Sequence, residues 1–242
     1  MTLAVKGKQQ ECLGVIGGMG PQATQLFLQG VINKTDATCD QQHIPMIILN
    51  HTTIPDRTRA ILSGKEAELM EILLKDAKML EQSGCTAIAI PCNTSHCFVD
   101  KIQKQIGIPI IHMVRETVNH LARAKPGLNK LAILATDGTI QAGVYQKECE
   151  DKGIQAYIPS PAKQALLMEI IYREIKQGKP GSLASFLEVE QEIKREGCDA
   201  AILACTELSC FARQYPLTGF YVDAMDILID KTVQLYGKEK AK

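Results

Sequence analysis

The chain has 242 residues, 45% hydrophobic and 22% charged, enough to bury a substantial core in one large domain or two small ones. Lys plus Arg equals Asp plus Glu at 27 each, so the formal charge is zero and no long-range field gathers nucleic acid or an anionic membrane surface. No apolar run reaches the roughly 18 residues of a membrane span, and no signal peptide leads the chain, so the expected location is the cytoplasm. Nine cysteines with no Cys-x-x-Cys predict free thiols in a reducing compartment, not a disulfide framework or structural zinc.

In chain order, the apolar run from Cys12 to Ile16 stops at Gly17-Gly18-Met19-Gly20-Pro21, and Ala23 to Ile32 then reads helical: strand, glycine turn, helix. Pro45 to Asn50 is a second strand, followed by a polar loop, His51 to Arg59, and an amphipathic helix, Glu66 to Gln82. Thr86 to Ile90 is a short apolar strand running into Pro91-Cys92-Asn93-Thr94-Ser95-His96, and Ile108 to Ile111 is another strand. Buried-looking strands alternating with helices predict an α/β fold with open, mainly parallel sheets.

The pattern then restarts. Lys130 to Leu134 is a strand ending at Ala135-Thr136-Asp137-Gly138-Thr139, and Asp199 to Leu203 is a strand ending at Ala204-Cys205-Thr206-Glu207. Without a gap, the fifteen residues from Gly84 share six identities with those from Gly197, aligning Cys92 with Cys205. A repeat about half the chain long describes two pseudo-symmetric α/β domains facing one interdomain cleft. The first domain is taken as residues 1–115 plus 216–242 and the second as 116–215, with the last segment packing back on the first domain and lacking a counterpart in the first half.

Ligands in open α/β sheets bind at the carboxyl ends of strands, where Cys92 and Cys205 both fall. A helix following each cysteine would favour its thiolate. Two thiols on opposite sides of a carbon suit a 1,1-proton transfer: one removes a proton and the other returns one to the opposite face. The carbanion needs preorganised donors, for which Asn93, Thr94 and Thr206 are candidates, and no cofactor is demanded.

These motifs resemble the cofactor-independent aspartate/glutamate racemases. The resemblance rests on Gly17-Gly18-Met19-Gly20-Pro21, Pro55-Asp56-Arg57-Thr58, Pro91-Cys92-Asn93-Thr94-Ser95-His96, Ala135-Thr136-Asp137-Gly138-Thr139 and Cys205-Thr206-Glu207-Leu208, in family order from Cys12 to Asp223. It implies Cys92 and Cys205 as the acid/base pair, with no pyridoxal phosphate and no metal. It also implies a substrate site of Met19, Gly20, Pro21, Asn93, Thr94, Thr136, Thr139 and Thr206, with the distal carboxylate of aspartate or glutamate held by Arg57 and, on a looser match, Lys163. Glu207 either assists Cys205 or caps its helix. The family expectation is a homodimer acting on a small amino acid, with no nucleic-acid or membrane partner. Ala204 stands where the family usually has glycine, and Glu207 where glutamate racemases have histidine.

Other readings carry less of the pattern. Gly18-Met19-Gly20-Pro21-Gln22-Ala23 fits a dinucleotide fingerprint, but the second strand ends in Asn50 and not in an acid. Cys92, His96 and Cys97 lack the second ligand pair of a zinc site. A hydantoin racemase, another two-thiol isomerase and a non-catalytic amino-acid-binding protein are the remaining alternatives.

Overall fold

A computed structural model of the chain describes residues 11–239. Seven strands form two parallel sheets. β1 (Leu13–Gly17), β2 (Met46–Asn50) and β3 (Ala87–Ala89) lie in the order β2-β1-β3; β4 (Lys130–Leu134), β5 (Gln155–Tyr157), β6 (Ala200–Leu203) and β7 (Tyr221–Asp223) lie in the order β5-β4-β6-β7. The repeated order expresses the sequence duplication: β1 and β4 are central, and β3 and β6 lead to the two cysteines.

The strands alternate between two apolar environments because neighbouring side chains leave a strand on opposite faces. Leu13, Val15, Ala87, Ala89, Leu131, Ile133, Ala200 and Ile202 share one central core with Met113, Val114, Met225 and Leu228. Ile16, Ile88 and Ile90 face a second core under the helix Glu66–Gln82, and Ala132, Leu134, Ala201 and Leu203 face a third with Phe186 and Phe211. Both faces of each sheet are therefore covered, which explains the continuous apolar runs in these strands.

Two local expectations are corrected. Ile108 to Ile111 forms only an isolated parallel bridge, Ile88 with Ile110. Ile88 N–H donates to Pro109 O at 2.9 Å and Ile111 N–H to Ile88 O at 2.8 Å. Proline has no N–H to extend the ladder, and the chain enters the helix Met113–Ala124 directly afterwards. The final segment does have a counterpart: β7 lies beside β6 as Ile110 lies beside Ile88, and the helix Ala224–Leu235 follows it as Met113–Ala124 follows Ile110. These two helices pack against each other, and Ala224–Leu235 also packs on the helix Pro21–Lys34.

Among the described residues, no helix is long and apolar enough to cross a membrane.

Candidate active site

Each half delivers its cysteine from the carboxyl end of a strand beside the central one. After β6, Cys205 is the N-cap of the helix Thr206–Gln214. After β3, Cys92 precedes a 3-10 segment, Thr94–Phe98, and only then the short helix Val99–Gln103. The helix-end position anticipated for both thiols is thus found only at Cys205, and even there the expected favouring of the thiolate is overturned by burial and by Glu207. Both cysteines are nearly buried, at 5% and 6% exposure, and both line one chamber of about 20 Å³.

The two sulfurs have contrasting neighbours. Ser95 Oγ donates to Cys92 Sγ at 3.3 Å, and the Arg57 guanidinium lies beside the same thiol. Burial opposes charge on Arg57, but Cys92, Asp56 and Glu207 together raise its pKa. Cys205 Sγ donates to Glu207 Oε2 at 2.9 Å. Burial, then the Glu207 charge and this hydrogen bond, push the Cys205 thiol well above its ordinary value, so it holds its proton.

Arg57 opens the helix Arg57–Leu62, whose N-cap Asp56 accepts from Arg59 N–H at 2.8 Å. Such a cap contributes about 1 kcal/mol and fixes where Arg57 emerges. Its guanidinium donates to Met19 O at 2.9 Å and Pro55 O at 3.2 Å, while Nε is buried with no partner. Thr136, the N-cap of Asp137–Gln141, and Thr94 from the opposite half approach each other at 3.4 Å, and Thr94 lies 2.7 Å from Thr139. Gly138 makes this approach possible: a Cβ there would lie 2.5 Å from Thr58 Cα.

The chamber is lined by Met19, Arg57, Asn93, Thr94, Thr136, Thr206 and Glu207 besides the cysteines. Gly20 and Pro21 line an adjoining outer cleft of about 350 Å³, which shares Asp56, Arg57, Lys176, Thr206 and Glu207 with the chamber. Thr139 lines neither cavity but supports Thr94. Lys163 lines neither cavity: on the helix Pro161–Glu169, it pairs with Glu188 at 2.7 Å.

Asp56, Thr58, Tyr172 and Lys176 also line the chamber and were missed by sequence reasoning. Lys176 lies 3.5 Å from Glu207 Oε1 and 3.8 Å from Asp56 Oδ2. Tyr172 hydroxyl donates to the Asp56 carboxylate, at 3.1 Å from Oδ2. These two residues come from a π-helical turn, Ile170–Glu174, and the following 3-10 turn, Ile175–Gln177. The change from α to π and then 3-10 winding through these turns leaves no mark in the apolar periodicity. Asp56 stood inside a recognised motif, and its acidity beside Arg57 was the available signal.

His96 is buried at the back of the Cys92 loop. Its Nδ1 bonds Cys92 O at 2.8 Å and its Nε2 accepts from Met113 N–H at 3.0 Å. Burial lowers its pKa to about 4, so the ring is neutral and carries its proton on Nδ1. Among the described residues, no group of three or more His, Cys, Asp or Glu side chains is arranged to hold a metal ion.

The model of the Asp/Glu/Hydantoin racemase family matches residues 16–232. The chain is 27% identical over 228 residues to the broad specificity amino-acid racemase RacX of Bacillus subtilis, covering 93% of this chain and 97% of that one. The Picrophilus torridus aspartate racemase structure superposes with a TM-score of 0.76 at 26% identity, covering 96% of each chain. The glutamate racemase of Francisella tularensis, solved in complex with D-glutamate, shares the fold with a TM-score of 0.65 at 19% identity, over 97% of this chain and 85% of that one. Two parallel-sheet halves, a cysteine at the end of a strand in each, and a family match spanning nearly all the described residues lead to one assignment: the chain belongs to the Asp/Glu/Hydantoin racemase family of isomerases.

Proposed function

We propose that the protein is a cofactor-independent racemase of aspartate or glutamate that moves a proton between Cys92 and Cys205. The observation that carries this reading is the pair of inequivalent thiols on one chamber, one beside a cation and one hydrogen-bonded to a carboxylate. Cys92 as thiolate takes the α-proton of one enantiomer, forming an S–H bond as the Cα–H bond breaks. The electron pair moves into the α-carboxylate, giving an enediolate. Cys205 then delivers its proton to the opposite face and is left as the thiolate. The other enantiomer runs the same steps in reverse.

Charge complementarity favours an amino acid with an acidic side chain. Arg57 and Lys176 supply cations for two carboxylates, and Asp56 and Glu207 supply anions for an ammonium group. Lys176 takes the role that the resemblance had suggested for Lys163. The α-carbon is a very weak acid, so donors aimed at the developing oxyanion matter most; each is worth about 3 kcal/mol of barrier in comparable sites. Thr94, Thr136, Thr206 and the Asn93 amide are positioned for this.

The chamber holds little more than one water molecule. Lys176 stands with Asp56, Arg57, Thr206 and Glu207 in the wall common to chamber and cleft, so the cleft is the side from which a substrate would enter. The test is racemisation of L- and D-aspartate and glutamate, with a panel of neutral amino acids alongside. Turnover confined to the acidic pair supports the reading; equal turnover of neutral amino acids would move the protein to broad specificity, and none at all would overturn the proposed amino-acid racemase activity.

A further inference from the structure

Behind the chamber, the hydroxyl of Tyr145 donates to Asn93 Oδ1 at 2.5 Å. The two residues belong to different halves: Asn93 follows β3, and Tyr145 is on the helix Val144–Glu150. Tyr145 is wholly buried and lines neither the chamber nor the outer cleft. Asn93 is 2% exposed, lines the chamber, and its Nδ2 is buried with no hydrogen-bond partner.

A carboxamide can present either its oxygen or its NH2 to a ligand. With Oδ1 held by the tyrosine hydroxyl, the NH2 is the end left free. A buried donor without a partner costs free energy unless something arrives to accept from it. A carboxylate is such an acceptor, and a better one as it gains charge on becoming an enediolate.

We propose that Tyr145 is a positioning residue: it holds the Asn93 carboxamide with Nδ2 facing the chamber, ready to donate to the substrate α-carboxylate as negative charge builds there. This rests on the racemase reading above. It also gives the contact between halves a role in catalysis, because the donor on the first half is oriented only while the second half is docked against it. Tyr145 makes no contact with the reacting atoms.

The experiment combines Tyr145→Phe, Asn93→Ala and the double variant in a cycle, with kinetics and NMR of the Asn93 side-chain amide. Phe keeps the ring and removes only the hydroxyl. Tyr145→Phe is expected to lower kcat about 10-fold with a much smaller change in KM, since the donor is used mainly in the transition state. In the Asn93→Ala background the same change should be silent. The Asn93 NH2 resonances, assigned by their loss in Asn93→Ala, should shift and exchange faster with solvent in Tyr145→Phe. Additive losses, or an unaltered Asn93 amide in Tyr145→Phe, would overturn the proposal.

Should Tyr145→Phe fail to fold, a wild-type crystal structure that separates amide oxygen from nitrogen decides the question: Oδ1 facing the chamber overturns it and Nδ2 supports it. If the wild-type protein turns over no amino acid, the racemase reading falls, and the amide measurements still decide whether Tyr145 orients Asn93.

Discussion

Cys205 Sγ lies 2.9 Å from Glu207 Oε2, two residues further along the same chain, and donates its proton to that carboxylate. A thiolate formed at this position would face a negative charge, which makes it a stronger base and keeps the resting thiol protonated. Glu207→Gln removes the charge and keeps the shape. With the charge gone the thiol gives up its proton more easily, so the direction that begins with Cys205 as base should gain rate at neutral pH, by up to about 10-fold, while the direction that uses Cys205 as acid should lose rate as the pH rises. Initial rates from each enantiomer, measured separately under conditions that exclude the reverse reaction, check this.

The two lysines considered for carboxylate binding should behave differently. Lys163 forms a surface pair with Glu188, whose side chain is 55% exposed, so Lys163→Ala should change stability by less than about 1 kcal/mol and leave KM unchanged. Lys176→Ala should raise KM for aspartate or glutamate about 10-fold or more, through loss of a charge-assisted contact. Steady-state kinetics of both variants on the same substrate separate them.

Gly138 tests the docking of the halves. Its missing Cβ would fall 2.5 Å from Thr58 Cα, a backbone atom beside Arg57 that cannot step aside as a flexible side chain can. Gly138→Ala should therefore push Thr58 away from the Thr136 loop. The expected result is at least a 10-fold loss of kcat/KM, a misplacement of a full ångström costing up to about 100-fold, measured alongside the urea midpoint.

Acid sensitivity should trace in part to His96. Burial lowers its pKa from 6.5 in the unfolded chain to about 4. Between those values the unfolded state binds more protons than the folded one, so stability rises with pH and is lost as pH falls from about 6.5 towards 4. The full contribution is about 3 kcal/mol. Asp223 acts in the opposite sense, its carboxyl being pushed up to about 6 by burial and by the nearby Asp226, so total stability is not the readout. The quantity to measure is the difference in unfolding free energy between wild type and His96→Gln across pH 4 to 7, which should carry the His96 slope.

Much of this architecture was written in the sequence, and the reasons are specific. Strands such as Ala200–Leu203 are buried on both faces and end at polar residues, so they stand out as apolar runs. The alignment of Cys92 with Cys205 exposed the duplication because the residues after β3 and β6 serve the same chamber. Lys176 and Tyr172 were not legible. Tyr172 reaches the chamber from a π turn and Lys176 from the 3-10 turn after it, which together interrupt an ordinary helical pattern, and a lysine there reads like any solvated lysine. Lys163 was expected only through its looser match to the family motif, and it pairs with Glu188 outside both cavities. The strand expected at Ile108 to Ile111 failed because Pro109 and the helix start at Met113 leave room for a single bridge.

The most direct test of the central claim is α-proton exchange in D2O, followed by proton NMR from pure L- and pure D-aspartate and glutamate, in wild type and in Cys92→Ala and Cys205→Ala. Opposed thiols predict deuterium incorporation with racemisation in wild type, and loss of racemisation in each single variant, with any residual exchange confined to one enantiomer and to opposite enantiomers in the two variants. A single-cysteine variant that still racemises at close to the wild-type rate would contradict the account.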